Sequence, residues 1–343
     1  MRCTLVALVL VCLVAPGAGA QANLAAAAAV AAELPRLHSL LVSHRGTLVL
    51  ERYFNGRQAT QLTNVKSVSK SIISALVGIA IEQSHIPGVR EPIGTYFAEP
   101  LRAEADAAKR RISIEDLLTM RAGLESTSSR NYGAWVTSRN WVRYVLSREL
   151  EDTPGTSMEY STGNTHLLSA ILTKATRKST WQYAQEVLAK PLGFSLARWP
   201  QDPQGIYFGG NEMLMTPRQM VAFGELYLNR GVAGGRQLVP ARWVDESFIP
   251  RGRSDYSEQL YGYGWWMREL AGPAGTVFEP VQAFYAWGFG GQYIFVIPRL
   301  QLVIVTTSST ATGEERRSHR RTIFSLVESV ISGIRGQASG SKG

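Results

Sequence analysis

Asn64-Val65-Lys66-Ser67-Val68-Ser69-Lys70-Ser71-Ile72-Ile73 leads into an apolar run that continues to Ile81. Apart from Gly78, nothing between Ser67 and Gln83 breaks a helix, so the stretch reads as a long, largely buried one. If Ser67 opens that helix, Lys70 follows three residues later on the same face, with Cβ atoms about 5–6 Å apart. An amine then stands within reach of a hydroxyl. At the ordinary lysine pKa of about 10.4, only about four in ten thousand such amines are neutral at pH 7. Burial lowers that pKa by up to about 3–5 units, and the positive end of the helix dipole acts in the same direction. Val65, Val68, Ile72 and Ile73 supply the apolar setting. The same helix end offers backbone N–H groups to a developing oxyanion. Spacing alone decides nothing, because Ser339-Gly340-Ser341-Lys342 repeats it near the C-terminus.

Upstream of this helix, an alanine-rich stretch from Leu24 to Leu34 reads as a surface helix stopped by Pro35. Leu40 to Ser43 and Thr47 to Phe54, separated by Arg45-Gly46, read as a hairpin. Downstream, from Pro87 to about Pro200, the signals are mostly helical: Ser113 to Leu118, Asn140 to Leu150, Thr165 to Thr176 and Thr180 to Leu188. Thr216-Pro217 starts a further helix, an N-cap followed by proline, running to about Asn229. Strand patterns then return at Tyr261 to Met267, Ala283 to Trp287, Gln292 to Ile297 and Leu302 to Ser308, and a helix from Glu314 to Ile334 closes the chain. The fold class read from this order is α/β (α+β): an antiparallel sheet flanked by helices, with a mostly helical subdomain inserted in it. The expected division is residues 1–20 as a signal peptide, 21–86 with 201–335 as the sheet domain, 87–200 as the helical subdomain, and 336–343 as a disordered tail.

Three further segments agree with one family. Arg111-Ile112-Ser113-Ile114-Glu115-Asp116-Leu117-Leu118-Thr119-Met120-Arg121-Ala122-Gly123-Leu124, together with residues 64–81, resembles the "LLTMxxGL" segment and nucleophile helix of penicillin-recognising serine hydrolases of the class C β-lactamase type. Pro154 to Leu168, with Tyr160-Ser161-Thr162-Gly163-Asn164 at its centre, is similar to that family's tyrosine motif. Ala286-Trp287-Gly288-Phe289-Gly290-Gly291-Gln292 resembles the segment that replaces Lys-Thr-Gly in the 6-aminohexanoate-dimer (nylon-oligomer) hydrolases. The resemblance runs from about Leu37 to Ile334. It implies Ser67 as nucleophile, Lys70 as its base, Tyr160 as phenolic partner, and the backbone N–H groups of Ser67 and Phe289 as the oxyanion hole. Trp287, Gly288 and Asn164 are expected at the substrate, with Tyr132 or Trp135 as a lid contact over it.

Two departures stand out. Thr162 occupies the place where the family commonly has asparagine, and Ala286-Trp287-Gly288 stands where β-lactamases use Lys-Thr-Gly to grip an acidic group. Trp287 is similar to the tryptophan of family VIII carboxylesterases in the same motif. The implied activity is an exported serine hydrolase opening amide or ester bonds through an acyl-serine, most like the 6-aminohexanoate-dimer hydrolases. The alternatives are a carboxylesterase, a weak β-lactamase or D-Ala carboxypeptidase, and a non-catalytic sensor of cell-wall ligands. The expected partner is a small-molecule amide or ester, with no cofactor and no metal.

Composition narrows the remaining classes. Residues 1–20 carry Arg2, an apolar run from Leu5 to Val14 and Ala18-Gly19-Ala20, which reads as a cleavable export signal cut after Ala20, giving a periplasmic or secreted protein. The run is too short for a comfortable membrane span. Both cysteines, Cys3 and Cys12, lie inside it, so the mature chain is expected to have no disulfide and no thiolate nucleophile. At 45% hydrophobic and 18% charged residues the composition is that of an ordinary globular protein. The net charge of +9 includes Lys109-Arg110-Arg111 and Arg316-Arg317 to Arg320-Arg321, read as solvated faces because no nucleic-acid motif accompanies them. His38, His44, His85, His166 and His319 show no metal-ligand spacing, and His166 reads as a satisfied helix-face histidine.

Overall fold

A computed structural model describes residues 18–103, 106–271, 279–313 and 315–340. Its helices are α1 (Ala18–Ala32), α2 (Ser69–Glu82), α3 (Ala107–Arg110), α4 (Ile114–Leu118), α5 (Tyr132–Val136), α6 (Trp141–Leu146), α7 (Thr162–Thr176), α8 (Thr180–Ala184), α9 (Pro217–Leu228), α10 (Ala241–Ser247) and α11 (Arg316–Gly340). Its strands are β1 (Leu37–His44), β2 (Thr47–Tyr53), β3 (Thr63–Asn64), β4 (Leu214–Met215), β5 (Val232–Ala233), β6 (Arg236–Gln237), β7 (Gly252–Arg253), β8 (Leu260–Tyr261), β9 (Trp266–Leu270), β10 (Val281–Gly288), β11 (Gln292–Ile297) and β12 (Leu302–Ser308). The principal sheet has eight strands in the order β2-β1-β12-β11-β10-β9-β8-β7. Every neighbouring pair in it is antiparallel. The N-terminal hairpin thus joins the C-terminal strands edge to edge, with Leu40 opposite Thr306. Between α2 and β4 the described elements are all helices.

Both faces of the sheet are covered, which is why its central strands read as apolar runs rather than as alternating ones. Leu40, Val42, Phe295, Ile297, Leu302 and Ile304 pack on one face with Ile323, Val327 and Ile331 of α11. Their neighbours Leu41, Ile294, Val296, Val303 and Val305 point to the opposite face, into the core built around α2 and α9. α1 is more than a surface helix, because Leu24, Ala27 and Ala31 are buried in the α11 cluster. Small alanine side chains let the two helices approach closely.

Several boundaries differ from the sequence reading for identifiable reasons. Tyr261 to Met267 is not one strand. The chain turns at Gly264, whose φ of +80° suits glycine, and β8 and β9 pair with each other as a hairpin. The turn is pinned to the nucleophile helix by Ser71 Oγ, which donates to the Gly264 carbonyl at 2.6 Å. The Lys109–Arg111 run is not simply solvated, since Lys109 donates to the Leu146 carbonyl at 3.0 Å and Arg110 to that of Leu101 at 2.6 Å. α11 continues to Gly340, into the 336–343 stretch expected as a tail, and residues 341–343 lie outside the described residues. Of the expected signal peptide, 1–17 lie outside them too, and 18–20 open α1.

α9 carries the expected N-cap in full. Thr216 accepts from the Gln219 N–H while the Gln219 side chain accepts from the Thr216 N–H, a reciprocal capping box ahead of Pro217. Thr216→Ala should therefore lower the unfolding free energy by about 1 kcal/mol in chemical denaturation, and Thr216→Ser should leave it nearly unchanged. Equal stability of all three chains would contradict the cap.

Candidate active site

Ser67 lies in a 3-10 turn, Lys66–Val68, that feeds directly into α2. Lys66 before it has a φ of +53°, which turns the chain sharply into the helix. Ser67 is partly accessible, whereas Lys70 one turn on is buried, at 2% exposure. The lysine nitrogen has three neighbours, all neutral: Ser67 Oγ at 3.1 Å, Thr162 Oγ1 at 3.2 Å and the Gly210 carbonyl at 2.7 Å. Burial pushes the Lys70 pKa down from its ordinary 10.5 to about 7. The neutral amine has two N–H bonds and one lone pair. A carbonyl can only accept, so it takes one N–H. With the second on Thr162 Oγ1, the lone pair is left facing the Ser67 hydroxyl. The geometry is that of a base aimed at its proton.

Tyr160 closes the other side. Its ring centroid is 4.9 Å from Lys70 Nζ, and it stacks on Trp266 at 5.8 Å. Burial raises the Tyr160 pKa well above that of an ordinary phenol, partly offset by the Ser67 hydroxyl beside it, so it keeps its proton at neutral pH. The tyrosine segment is held by hydroxyls rather than charges. Thr127 Oγ1 accepts from the Gly163 N–H at 2.9 Å and Ser128 Oγ from the Thr162 N–H at 3.0 Å, satisfying first-turn donors of α7. Ser128 Oγ also lies 3.0 Å from Thr162 Oγ1, which fixes the hydroxyl that Lys70 meets.

The tip of β10 forms the third wall. A Cβ on Gly288 would come 2.2 Å from the Val65 carbonyl, so only glycine lets this strand lie against the segment leading to Ser67. Phe289 follows, partly exposed, then Gly290 and Gly291 with φ of +88° and +112°. The turn is braced from beneath. Gln292 Nε2 donates to the Ser308 carbonyl at 2.7 Å, and His319 Nε2 meets Ser308 Oγ at 3.0 Å. Burial and the neighbouring Arg36 and His38 push the His319 pKa down to about 4. Trp287 lies between Trp266 and Tyr293, at ring distances of 5.6 and 6.2 Å, with the Arg320 guanidinium 4.3 Å above it.

Ser67, Lys70, Tyr160 and Gly288 are thus brought together around one cleft, and Trp287 packs beside Trp266 on the sheet face that α11 covers. Two expected contacts are placed elsewhere. Trp135 is fully enclosed, its indole N–H donating to the Trp141 carbonyl at 3.2 Å, and it supports Tyr132 from behind instead of forming a lid. Asn164 is buried on α7 with its amide nitrogen 4.0 Å from Met120 Sδ. Tyr132 accepts a 2.9 Å hydrogen bond from Asn211 and stacks on Phe208. The sequence reading passed over Gly210, Ser128 and the contact role of Thr162. The Thr162 departure was the visible signal, whereas a backbone carbonyl at Gly210 leaves no mark in sequence. No group of three or more His, Cys, Asp or Glu among the described residues is arranged to hold a metal ion. No described helix is long and apolar enough to cross a membrane.

A large antiparallel sheet flanked by helices, with a helical region beside the opening of α2, is the β-lactamase/transpeptidase-like fold. The chain belongs to the β-lactamase family of serine hydrolases, whose family model, Beta-lactamase, matches residues 27–328. The 6-aminohexanoate-dimer hydrolase of Paenarthrobacter ureafaciens is 24% identical over 309 residues, covering 80% of this chain and 73% of the relative. Among solved structures, a penicillin-binding protein homologue from Caulobacter crescentus superposes with a TM-score of 0.71 at 16% identity, covering 92% of this chain and 98% of the other. EstCE1, a hydrolase with promiscuous acyltransferase activity, gives 0.71 at 16% identity over 91% and 98%.

The Lys70 environment also has a stability signature. Its folded pKa lies below the unfolded one, so between about 7 and 10.5 the unfolded chain holds the extra proton. The resulting penalty on folding is complete below about pH 7 and fades as the pH rises towards 10.5. Lys70→Met should therefore raise the melting temperature more at pH 6 than at pH 9.5, by about 1–2 °C for each kcal/mol removed. An equal shift at both pH values would contradict a buried, depressed lysine.

Proposed function

We propose that this chain is an exported serine hydrolase that opens amide or ester bonds through an acyl-Ser67 intermediate, in the manner of the 6-aminohexanoate-dimer hydrolases. The observation that carries the reading is the amine of Lys70, buried among neutral oxygens with its nitrogen 3.1 Å from Ser67 Oγ. As Ser67 Oγ attacks the substrate carbonyl carbon, its proton passes to Lys70 Nζ. The carbonyl oxygen becomes an oxyanion, met by the backbone N–H groups of Ser67 and Phe289. The intermediate then collapses, breaking the bond to the leaving nitrogen or oxygen, which takes a proton from the Tyr160 phenol. The Lys70 ammonium restores that proton, leaving the amine neutral. Water repeats the sequence on the acyl-serine, with proton flow reversed, and frees the acid.

Tyr160 stacked on Trp266 gives the cleft an aromatic side suited to a linear acyl chain. A bulky tryptophan in place of the central threonine of Lys-Thr-Gly supports a carboxylesterase as the second reading. The missing lysine argues against a β-lactam carboxylate as the main target. Residues 1–20 support export.

Incubation with a fluorophosphonate followed by peptide mass spectrometry should place the adduct on Ser67. Ser67→Ala should lose at least about 10³-fold of hydrolysis, and Tyr160→Phe about 10²- to 10⁴-fold. Assayed in parallel, a linear aminohexanoate dimer and p-nitrophenyl acetate should be turned over faster than nitrocefin. An unlabelled Ser67 would point to a binding protein and sink the nucleophile, and a preference for nitrocefin would sink the substrate assignment.

A further inference from the structure

His166 and Asp202 are both buried, and neither takes part in the chemistry proposed above. His166 lies on α7, and its Nε2 is 3.1 Å from Asp202 Oδ2. The other carboxylate oxygen accepts from the Gln204 and Ile206 N–H groups at 2.8 and 2.9 Å. An ionised carboxylate only accepts, so the imidazole proton sits on Nε2. Nδ1 is left as an acceptor, and the Gly209 N–H points to it at 3.4 Å. Trp135, Trp141 and Phe208 enclose the ring at 5.8, 5.3 and 6.0 Å, which fixes its plane. A Cβ on Gly209 would lie 2.1 Å from the Thr165 carbonyl, and one on Gly210 3.2 Å from Lys70 Nζ. This two-glycine segment is threaded between α7 and the lysine, with no side chain of its own to hold it. Its carbonyl, at Gly210, makes the shortest contact that Lys70 has, 2.7 Å.

We propose that the Asp202–His166 pair is a positioning device for Lys70. By holding the Gly209 N–H it fixes the Gly210 carbonyl, and that carbonyl directs the lysine lone pair at Ser67. The proposal rests on the serine–lysine reading of the site. Asp202 selects the tautomer, His166 transmits the choice across α7, and the glycine segment delivers the acceptor. Neither side chain touches substrate, so the pair acts on the rate of proton abstraction and not on binding.

Asp202→Asn is the sharpest variant because it changes almost no volume. The amide oxygen keeps the Gln204 and Ile206 N–H bonds, and the amide nitrogen then faces His166. That donor moves the imidazole proton to Nδ1, where it opposes the Gly209 N–H. With the full chain and a fluorophosphonate, whose phosphorus is attacked by Ser67 Oγ as fluoride leaves, the maximal rate of Ser67 phosphonylation should fall roughly 10- to 100-fold. The half-saturating concentration should stay within about twofold. His166→Phe should lose a similar amount, whereas His166→Asn, whose side-chain oxygen still accepts near the Nδ1 position, should recover most of the rate. Lower melting temperatures with an unchanged phosphonylation rate in Asp202→Asn and His166→Phe would overturn the proposal, leaving only core packing. Absence of a Ser67 adduct in the unmodified chain would overturn the serine–lysine reading and this proposal with it. Normal labelling of the unmodified chain beside unaffected variants overturns the pair alone.

Discussion

An amine kept out of water, with only neutral oxygens for company, is the constraint on which the site depends. Lys70 has no carboxylate among its three hydrogen-bond neighbours. A nearby negative charge would stabilise the ammonium and remove the base. Burial instead favours the neutral form, and the Gly210 carbonyl and the Thr162 hydroxyl orient what burial has made available. The same arrangement asks little of Ser67 itself beyond partial access to solvent. What would otherwise be a weak nucleophile is set by the lysine, and the lysine is set by backbone and hydroxyl groups from distant parts of the chain.

The fold exists in the form needed to bury that lysine. α2 has the sheet on one side and the helical region on the other, so every residue from Ser69 to Ala80 is buried. The sheet can close around it because the first hairpin and the last strand pair across nearly the whole length of the chain. Three separate segments then converge on the open end of α2: the start of α7 with Tyr160 and Thr162, the β10 tip with Gly288, and the Gly209-Gly210 segment. Glycine at two of these three is a steric requirement, since backbone has to pass within contact distance of backbone.

Much of this was legible beforehand, and what was not has physical reasons. The length and apolar character of residues 67–83 marked α2, and the paired hydrophobic runs near each terminus marked the sheet. The order of the motifs identified the family more securely than any one of them. Trp135 was misplaced because an aromatic beside a cleft and an aromatic behind it have the same sequence signature. Asn164 is turned inward because α7 begins at Thr162, a rotation that the motif alone does not give. Gly210 and the His166–Asp202 pair are contacts between segments far apart in sequence, through a main-chain carbonyl and a lone imidazole, and periodicity carries no trace of either. The split of Tyr261 to Met267 into a hairpin turns on a single left-handed glycine.

The most direct test of this account is the protonation state of Lys70 itself. Lysine side chains labelled with ¹³C and ¹⁵N, with Lys70→Met used for assignment, would give its titration by NMR in the folded protein. The account calls for a midpoint near 7, far below the ordinary 10.5. A midpoint close to that ordinary value would mean a charged lysine at neutral pH, and Ser67 would then have no base.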